Sequence, residues 1–236
     1  MNGTLALVGS GEYLPPMEPV DRLLLSLVSG EPRVVCLPTA AGTEGETSIA
    51  RWSTLGVEHF TRLGARAEAV EVIDRATANE ESLAARIRAA NFVYLSGGKP
   101  DYLFKTLNGS AAWAAINAVL ENGGVVAGCS AGAMIFGQQI PSFPTIWPFQ
   151  SGFNFLPGVI ILPHFDEFGE SAFVGLLRTM IGKTTLLGID GDTALVRNDG
   201  KYEVAGTGGV TVWGRKGRVR YSAGASLNWA RELTTD

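Results

Sequence analysis

Apolar residues fall along this chain in two alternating patterns for the first 140 positions. Leu5 to Val8, Arg33 to Leu37, Ala69 to Ile73 and Asn91 to Ser96 are short apolar runs, and a further run enters Val125-Val126-Ala127. Each has the length and the residue types of a strand buried on both faces. Between them lie helical stripes. Asp21 to Ser29 predicts a helix ending at Gly30. Over Glu46 to Leu63, Ile49, Trp52, Leu55, Phe60 and Leu63 recur at mostly helical spacing, and Gly64 suits the C′ stop. Asn79 is placed to cap a helix from Glu80 to Ala90. Pro100 suits the first turn of a helix Asp101 to Leu107, and Ser110 can cap Ala111 to Leu120.

Strand–helix alternation with right-handed crossovers predicts an α/β fold, a mostly parallel sheet flanked by helices on both faces. Beyond it, residues 140 to 158 read as a Pro/Phe/Trp/Gly loop of the kind that forms a lid or a pocket wall. A strand Val159 to Leu162, a helix around Ser171 to Ile181 and a strand Thr185 to Ile189 follow. From Ala194 to Arg220, apolar and polar residues alternate around Asn198-Asp199-Gly200 and Lys216-Gly217, which predicts C-terminal antiparallel hairpins. Neither a repeat nor a linker is visible, so residues 1–236 read as a single domain.

In sheets of this type ligands bind at the carboxyl ends of the strands. Two glycine-rich exits lie on that edge. One is Gly97-Gly98-Lys99-Pro100. The other is Gly128-Cys129-Ser130-Ala131-Gly132, a G-x-S-x-G between an apolar β-branched run and a helix-forming run. That spacing suits a nucleophile elbow, with the serine at a strained strand-to-helix corner beside free N–H groups of the helix start. The plainer reading is a turn whose serine caps the helix.

A serine nucleophile needs a base, and the chain has two histidines. His59 falls late in a predicted helix and reads as a helix-terminal or surface residue. His164 lies just past a strand end, on the expected edge, and is the better base. Chain order then excludes the ordinary α/β-hydrolases, which place the acid between serine and histidine. Residues 131 to 163 hold no Asp or Glu. Gly9-Ser10-Gly11-Glu12 echoes a dinucleotide fingerprint, but its sixth position is Leu14, so it reads as a tight turn.

Composition narrows the function classes. The net charge is −4 with no Lys/Arg cluster, which argues against nucleic-acid binding. Cys36 and Cys129 lie in strand-like runs and read as buried small residues of a reducing compartment. No signal peptide is visible, and the long charge-free stretch from Asn122 to Pro163 is broken by five prolines. A soluble, cytoplasmic protein without membrane contact is expected. Two separated histidines and no Cys/His cluster leave no metal site, and no cofactor is implied. A two-fold homodimer is compatible with such a domain.

Leu95-Ser96-Gly97-Gly98-Lys99-Pro100-Asp101-Tyr102-Leu103, Ala127-Gly128-Cys129-Ser130-Ala131-Gly132-Ala133, Pro163-His164-Phe165-Asp166 and Gly188-Ile189-Asp190-Gly191-Asp192-Thr193-Ala194-Leu195 occur in this order. In this the chain resembles the S51 serine peptidases, the family of dipeptidase E and cyanophycinase. The resemblance implies a flavodoxin-like fold similar to class I glutamine amidotransferases, with serine in place of their cysteine. It implies Ser130 as nucleophile, His164 as base, and the N–H groups of Gly98 and Ala131 as oxyanion hole. It further implies a small peptide substrate cut next to an aspartyl residue. Such a substrate carries free carboxylates, for which Lys99 and Arg178 are the candidate partners.

The triad acid does not carry over. Gly191 stands where cyanophycinase-like members have glutamate, and Thr145 where dipeptidase E-like members have aspartate. Asp192, Asp190, Asp166 and Glu167 are the nearby acids. Asp192, at the loop end of its strand, is the candidate acid, against a reading as a turn carboxylate beside Thr193. Without any acid the chain would be a slow peptidase or a binding protein on a peptidase scaffold. An acyl hydrolase for a non-peptide ester or amide is the third reading.

Overall fold

The computed structural model describes residues 2–142, 146–168, 172–214 and 217–228. Its first half follows the alternation of the sequence. Five strands, β1 (Thr4–Val8), β2 (Arg33–Leu37), β3 (Arg66–Ala69), β4 (Phe92–Leu95) and β5 (Val125–Cys129), run parallel in the spatial order β1-β5-β4-β2-β3. Along β1, Leu5 and Leu7 enter one core while Ala6 and Val8 enter the other, as the two-residue period of a strand requires.

Helices cover both faces. α1 (Glu18–Ser26) and α2 (Glu46–Arg62) pack with Ala6, Val8, Cys36, Phe92 and Tyr94. α3 (Glu81–Ala89), α4 (Pro100–Leu107) and α5 (Ala111–Glu121) close the opposite core. Ser110 caps α5 as its sequence indicates, its Oγ accepting the Trp113 N–H at 3.0 Å. Asn79 does not cap α3. It sits in a preceding 3-10 turn, and its side chain accepts from the Ala111 N–H and donates to the Arg75 carbonyl. β3 lies upstream of its expected place: its pairing with β2 ends at Ala69 opposite Cys36, and Val70 and Val72 are buried in the core just beyond it.

After β5 the chain makes one helical turn, α6 (Ala131–Met134), and then departs from expectation. Much of the stretch 140 to 158 expected as a loop is strand instead, within β6 (Gly137–Ser142), β7 (Ile146–Ser151) and β8 (Leu156–Leu162), the last of which contains the expected strand Val159 to Leu162. Three prolines hid them. The pairing of β6 with β7 slips between Ile140 and Ser142, at Pro141, and its pairing with β8 slips opposite Pro157. Pro148 lies on edge strand β7. Bulges and edges are where a strand tolerates a residue without an N–H.

The remaining elements are α7 (Phe165–Phe168), α8 (Ala172–Ile181), β9 (Thr185–Ile189), β10 (Thr193–Asn198), β11 (Lys201–Gly206), β12 (Gly209–Gly214), β13 (Gly217–Ser222) and β14 (Ser226–Leu227). β10, β11 and β14 extend the parallel sheet in the order β14-β11-β10-β1, each antiparallel to its neighbour. The others make a second sheet, β13-β12-β9-β8-β6-β7. The single sheet of the sequence reading is therefore two. His164 follows β8 of the second sheet, not a strand of the sheet that carries Ser130. The C-terminal hairpins β10–β11 and β12–β13 are present, one in each sheet. Among the described residues, no helix is long and apolar enough to cross a membrane.

Candidate active site

The elbow is built from close approach. β5 pairs with β1 up to Cys129 opposite Val8, and the Ser130 N–H donates to the Val8 carbonyl at 2.9 Å. The backbone must then reverse at once into α6. Ser130 takes φ 50° and ψ −112°, a conformation that L-residues avoid and that clusters at functional sites. Gly128 has no room for a side chain, since a Cβ there would lie 2.2 Å from the Gly132 carbonyl oxygen. As first residue of α6, Ala131 presents an N–H that no turn of helix can satisfy.

The elbow holds two nucleophile types in sequence, and burial separates them. Cys129 is fully buried, and its thiol is pushed well above the usual thiol range, first by burial and then by the charge of Glu12. Cys36 is likewise raised by burial, to about 12. Ser130 lines a cavity of about 400 Å³ with Gly98, Lys99, Met134, Pro141 and His164 among its walls.

His164 reaches this cavity from the other sheet. It stands at φ 52°, and the turn α7 starts at the next residue. Phe165 anchors that turn: it is buried, and a Cβ on Gly188 of β9 would lie 2.4 Å from its ring. His164 Nε2 sits 3.0 Å from Ser130 Oγ. Its Nδ1 sits 3.3 Å from Glu167 Oε1, one turn on. With the ring proton on Nδ1, Glu167 accepts it and Nε2 is left free to accept from the serine hydroxyl. The Glu167 side chain is 68% exposed, so solvent screens this pair.

The other three acids have different partners. Asp190 is buried, accepting the Gly209 N–H at 2.9 Å and both Arg220 amino groups, and these bonds raise the pKa of Arg220. Asp166 accepts the Gly191 N–H at 2.7 Å. Asp192, the acid selected from sequence, packs against Gly11: a Cβ there would lie 2.1 Å from Asp192 Oδ1. Its backbone, at φ 50°, ties Ser10 to Thr207. That is the turn role set against it, and Glu167 takes the place behind His164. Position Thr145 lies outside the described residues.

On the facing exit, Gly98 has φ 141° and its would-be Cβ lies 2.6 Å from the backbone of Ala40. The Lys99 N–H donates to the Ala40 carbonyl, so the exit of β2 buttresses that of β4. Lys99 Nζ donates to Thr43 Oγ1 at 2.9 Å at the cavity rim. Arg178 is not part of the cavity lining. It donates to the Thr184 carbonyl at 2.8 Å and lies over the Trp213 ring, closing the end of α8.

The sequence profile of peptidase family S51 matches residues 5–205, which includes both strand exits, Ser130, His164 and Glu167. The chain belongs to peptidase family S51. Among solved structures, a peptidase from an acI-B1 Actinobacterium is similar over 96% of this chain and 97% of its own, with 34% identity and a TM-score of 0.87. A peptidase E-like protein from Listeria monocytogenes EGD-e shares the fold, at 19% identity and a TM-score of 0.59, over 93% of this chain and 98% of its own. A search of curated proteins finds no match. Within this S51 member, the sequence reading missed Glu12, whose carboxylate accepts the Gly97 N–H at 2.9 Å and the Cys129 thiol at 3.0 Å. Its signal was position: it follows β1, the strand beside the elbow.

Proposed function

We propose that this S51 chain is a serine-type peptidase that hydrolyses small peptides, next to an aspartyl residue, through an acyl-enzyme at Ser130. The observation that carries the reading is the 3.0 Å contact of Ser130 Oγ with His164 Nε2, at a strained elbow facing a cavity. In this reading Oγ attacks the scissile carbonyl carbon while its proton passes to Nε2. The carbonyl oxygen becomes an oxyanion held by the N–H groups of Gly98 and Ala131, each worth about 3–4 kcal/mol by analogy with single-donor deletions. The imidazolium returns its proton to the leaving amine, and water, deprotonated by the same nitrogen, releases the acid product. Glu167 holds the ring in the tautomer that lets Nε2 accept.

The substrate side rests on the cavity. About 400 Å³ suits a small peptide rather than a folded chain. Lys99, whose ammonium meets the neutral hydroxyl of Thr43, is the proposed partner of a substrate carboxylate. A His164 ring without a carboxylate would favour the alternative of a non-catalytic or weakly active scaffold, and Glu167 within reach of Nδ1 supports the peptidase reading instead.

Labelling with a serine-reactive fluorophosphonate, followed by mass spectrometry, tests the chemistry. An adduct on Ser130 that His164→Ala suppresses is expected; no adduct, or one equally strong in the variant, overturns the reading. Hydrolysis of Asp-X dipeptides in preference to β-aspartyl dipeptides and simple esters would fix the substrate class. Turnover of esters alone would make the protein a non-peptide acyl hydrolase.

A further inference from the structure

The Gly9-Ser10-Gly11-Glu12 exit of β1 is the sequence motif that the proposed reaction does not use. β1 lies beside β5, with Val8 opposite Cys129, so this exit opens next to the elbow. Its carboxylate spans two loops. Glu12 Oε1 accepts the Gly97 N–H at 2.9 Å, and Oε2 takes the Cys129 thiol at 3.0 Å. Gly97 precedes the proposed oxyanion donor Gly98, and Cys129 precedes the proposed nucleophile Ser130. Gly97 is wedged between the two side chains: a Cβ placed on it would lie 2.8 Å from Glu12 Oε1, 3.4 Å from Ser130 Cβ and 3.8 Å from Ser130 Oγ.

The loop that delivers Glu12 is held in an unusual shape. Its neighbours Gly11 and Tyr13 both have positive φ, 86° and 65°. Tyr13 is an L-residue in the left-handed region, kept there by burial of its ring against Trp52, Phe60 and Tyr94. Backbone strain of this kind persists only where the surroundings over-determine it. A tight turn serving only to leave β1 needs neither a strained tyrosine nor a half-buried carboxylate facing the catalytic loops.

We propose that Glu12 is a positioning residue for the oxyanion hole, its carboxylate bridging the loop that carries Gly98 to the residue before Ser130. The inference rests on the serine peptidase reading above. A negative charge near the hole does not itself stabilise an oxyanion, so Glu12 acts through geometry. By fixing the peptide plane between Ser96 and Gly97 it fixes the next plane, and with it the direction of the Gly98 N–H relative to Ser130 Oγ. Misplacement of such a donor by an ångström costs about a hundredfold in rate.

Phosphonylation of Ser130 by a fluorophosphonate reads the hole directly, because the P=O oxygen occupies it as the serine oxygen bonds phosphorus, fluoride leaves and His164 takes the proton. The measured quantities are the limiting labelling rate and the half-saturating concentration, per folded molecule by circular dichroism. Glu12→Ala is expected to lower the limiting rate about 10–100-fold with the half-saturating concentration within about twofold. Glu12→Gln retains an acceptor for the Gly97 N–H and should restore the rate to within about fivefold of the parent. Should Glu12→Ala fail to fold, Glu12→Asp serves, since it keeps the charge but is one methylene too short to bridge. It should be at least about tenfold slower than Glu12→Gln. Equal rates in Glu12→Ala and the parent, or Glu12→Asp faster than Glu12→Gln, overturn the proposal. An unlabelled parent protein would instead overturn the serine peptidase reading on which it rests.

Discussion

The two histidines of this chain each face a carboxylate, and the pairs differ in every physical respect. His59 Nε2 meets Asp21 Oδ2 at 2.8 Å with both side chains buried, 2% and 0% exposed. His164 Nδ1 meets Glu167 Oε1 at 3.3 Å with the side chains 33% and 68% exposed. By strength of pairing, His59 looks like the better half of a triad. Its other nitrogen, however, faces Arg62, and its ring packs edge-on to Phe60 and tilted against Tyr13, away from the cavity that Ser130 lines. A base needs one free nitrogen aimed at a reacting atom in an open cavity, and only modest help behind it. Burial and short distance, by contrast, are what a pair that holds α1 to α2 requires.

The largest expected effect breaks the comparison directly. His164→Ala should lower turnover by about 10⁴-fold or more while shifting the thermal midpoint far less than a buried-core substitution would, because its side chain is a third exposed at the cavity wall. His59→Ala should do the reverse. It orphans a buried Asp21 carboxylate, at a cost of about 3–5 kcal/mol by denaturant unfolding, with activity per folded molecule held within about twofold. If His59→Ala were to abolish turnover in folded protein, the division into a structural and a functional pair would be wrong.

The next effect separates Glu167 from Asp192. An aspartate buried behind a triad histidine contributes about 10⁴ in turnover. Glu167 is exposed and its bond is long, so Glu167→Gln should cost only about 10–100-fold. Asp192→Asn should cost less than about threefold, since its carboxylate lies against Gly11 rather than His164. A larger loss in Asp192→Asn than in Glu167→Gln would restore the acid chosen from sequence.

That choice shows where the sequence runs out. The elbow was legible because its signals are local: an apolar strand, two glycines at fixed offsets and a helix start all lie within ten residues. The alternation of strands and helices up to residue 140 was legible for the same reason. Which strand exits face one another is a different matter, decided by how two sheets divide. Asp192 and Glu167 both follow strands, and only the placement of β8 and β9 in the second sheet, with Phe165 seated on Gly188, turns α7 so that Glu167 lies behind His164. β6 and β7 were hidden by prolines that sit in bulges and on an edge. His59 does lie in the last turn of its helix, but it is buried rather than on the surface, which was not legible because Asp21, thirty-eight positions earlier, gives no local sign of its approach.

The smallest effect sharpens the contrast through pH. Burial holds the Asp21 carboxyl above its ordinary range, with the His59 hydrogen bond opposing. The folded chain therefore keeps this proton at a pH where the unfolded chain has lost it. The stability that Asp21 contributes is fully present below the unfolded carboxylate value of about 3.9 and declines as pH rises through the folded one. Asp21→Asn has no proton to lose, yet its Oδ1 can still accept from His59 Nε2. The stability of this variant relative to the parent should thus rise with pH from about 4, at no more than about 1.4 kcal/mol per unit, and level off once Asp21 is ionised. Chemical denaturation of both proteins between about pH 4 and 8 measures this. A relative stability that stays flat from about pH 4 to 8 would mean that attraction to His59 outweighs desolvation. The buried pair would then be held as ions, and the contrast with the solvent-screened pair at His164 would lie in charge as well as in depth.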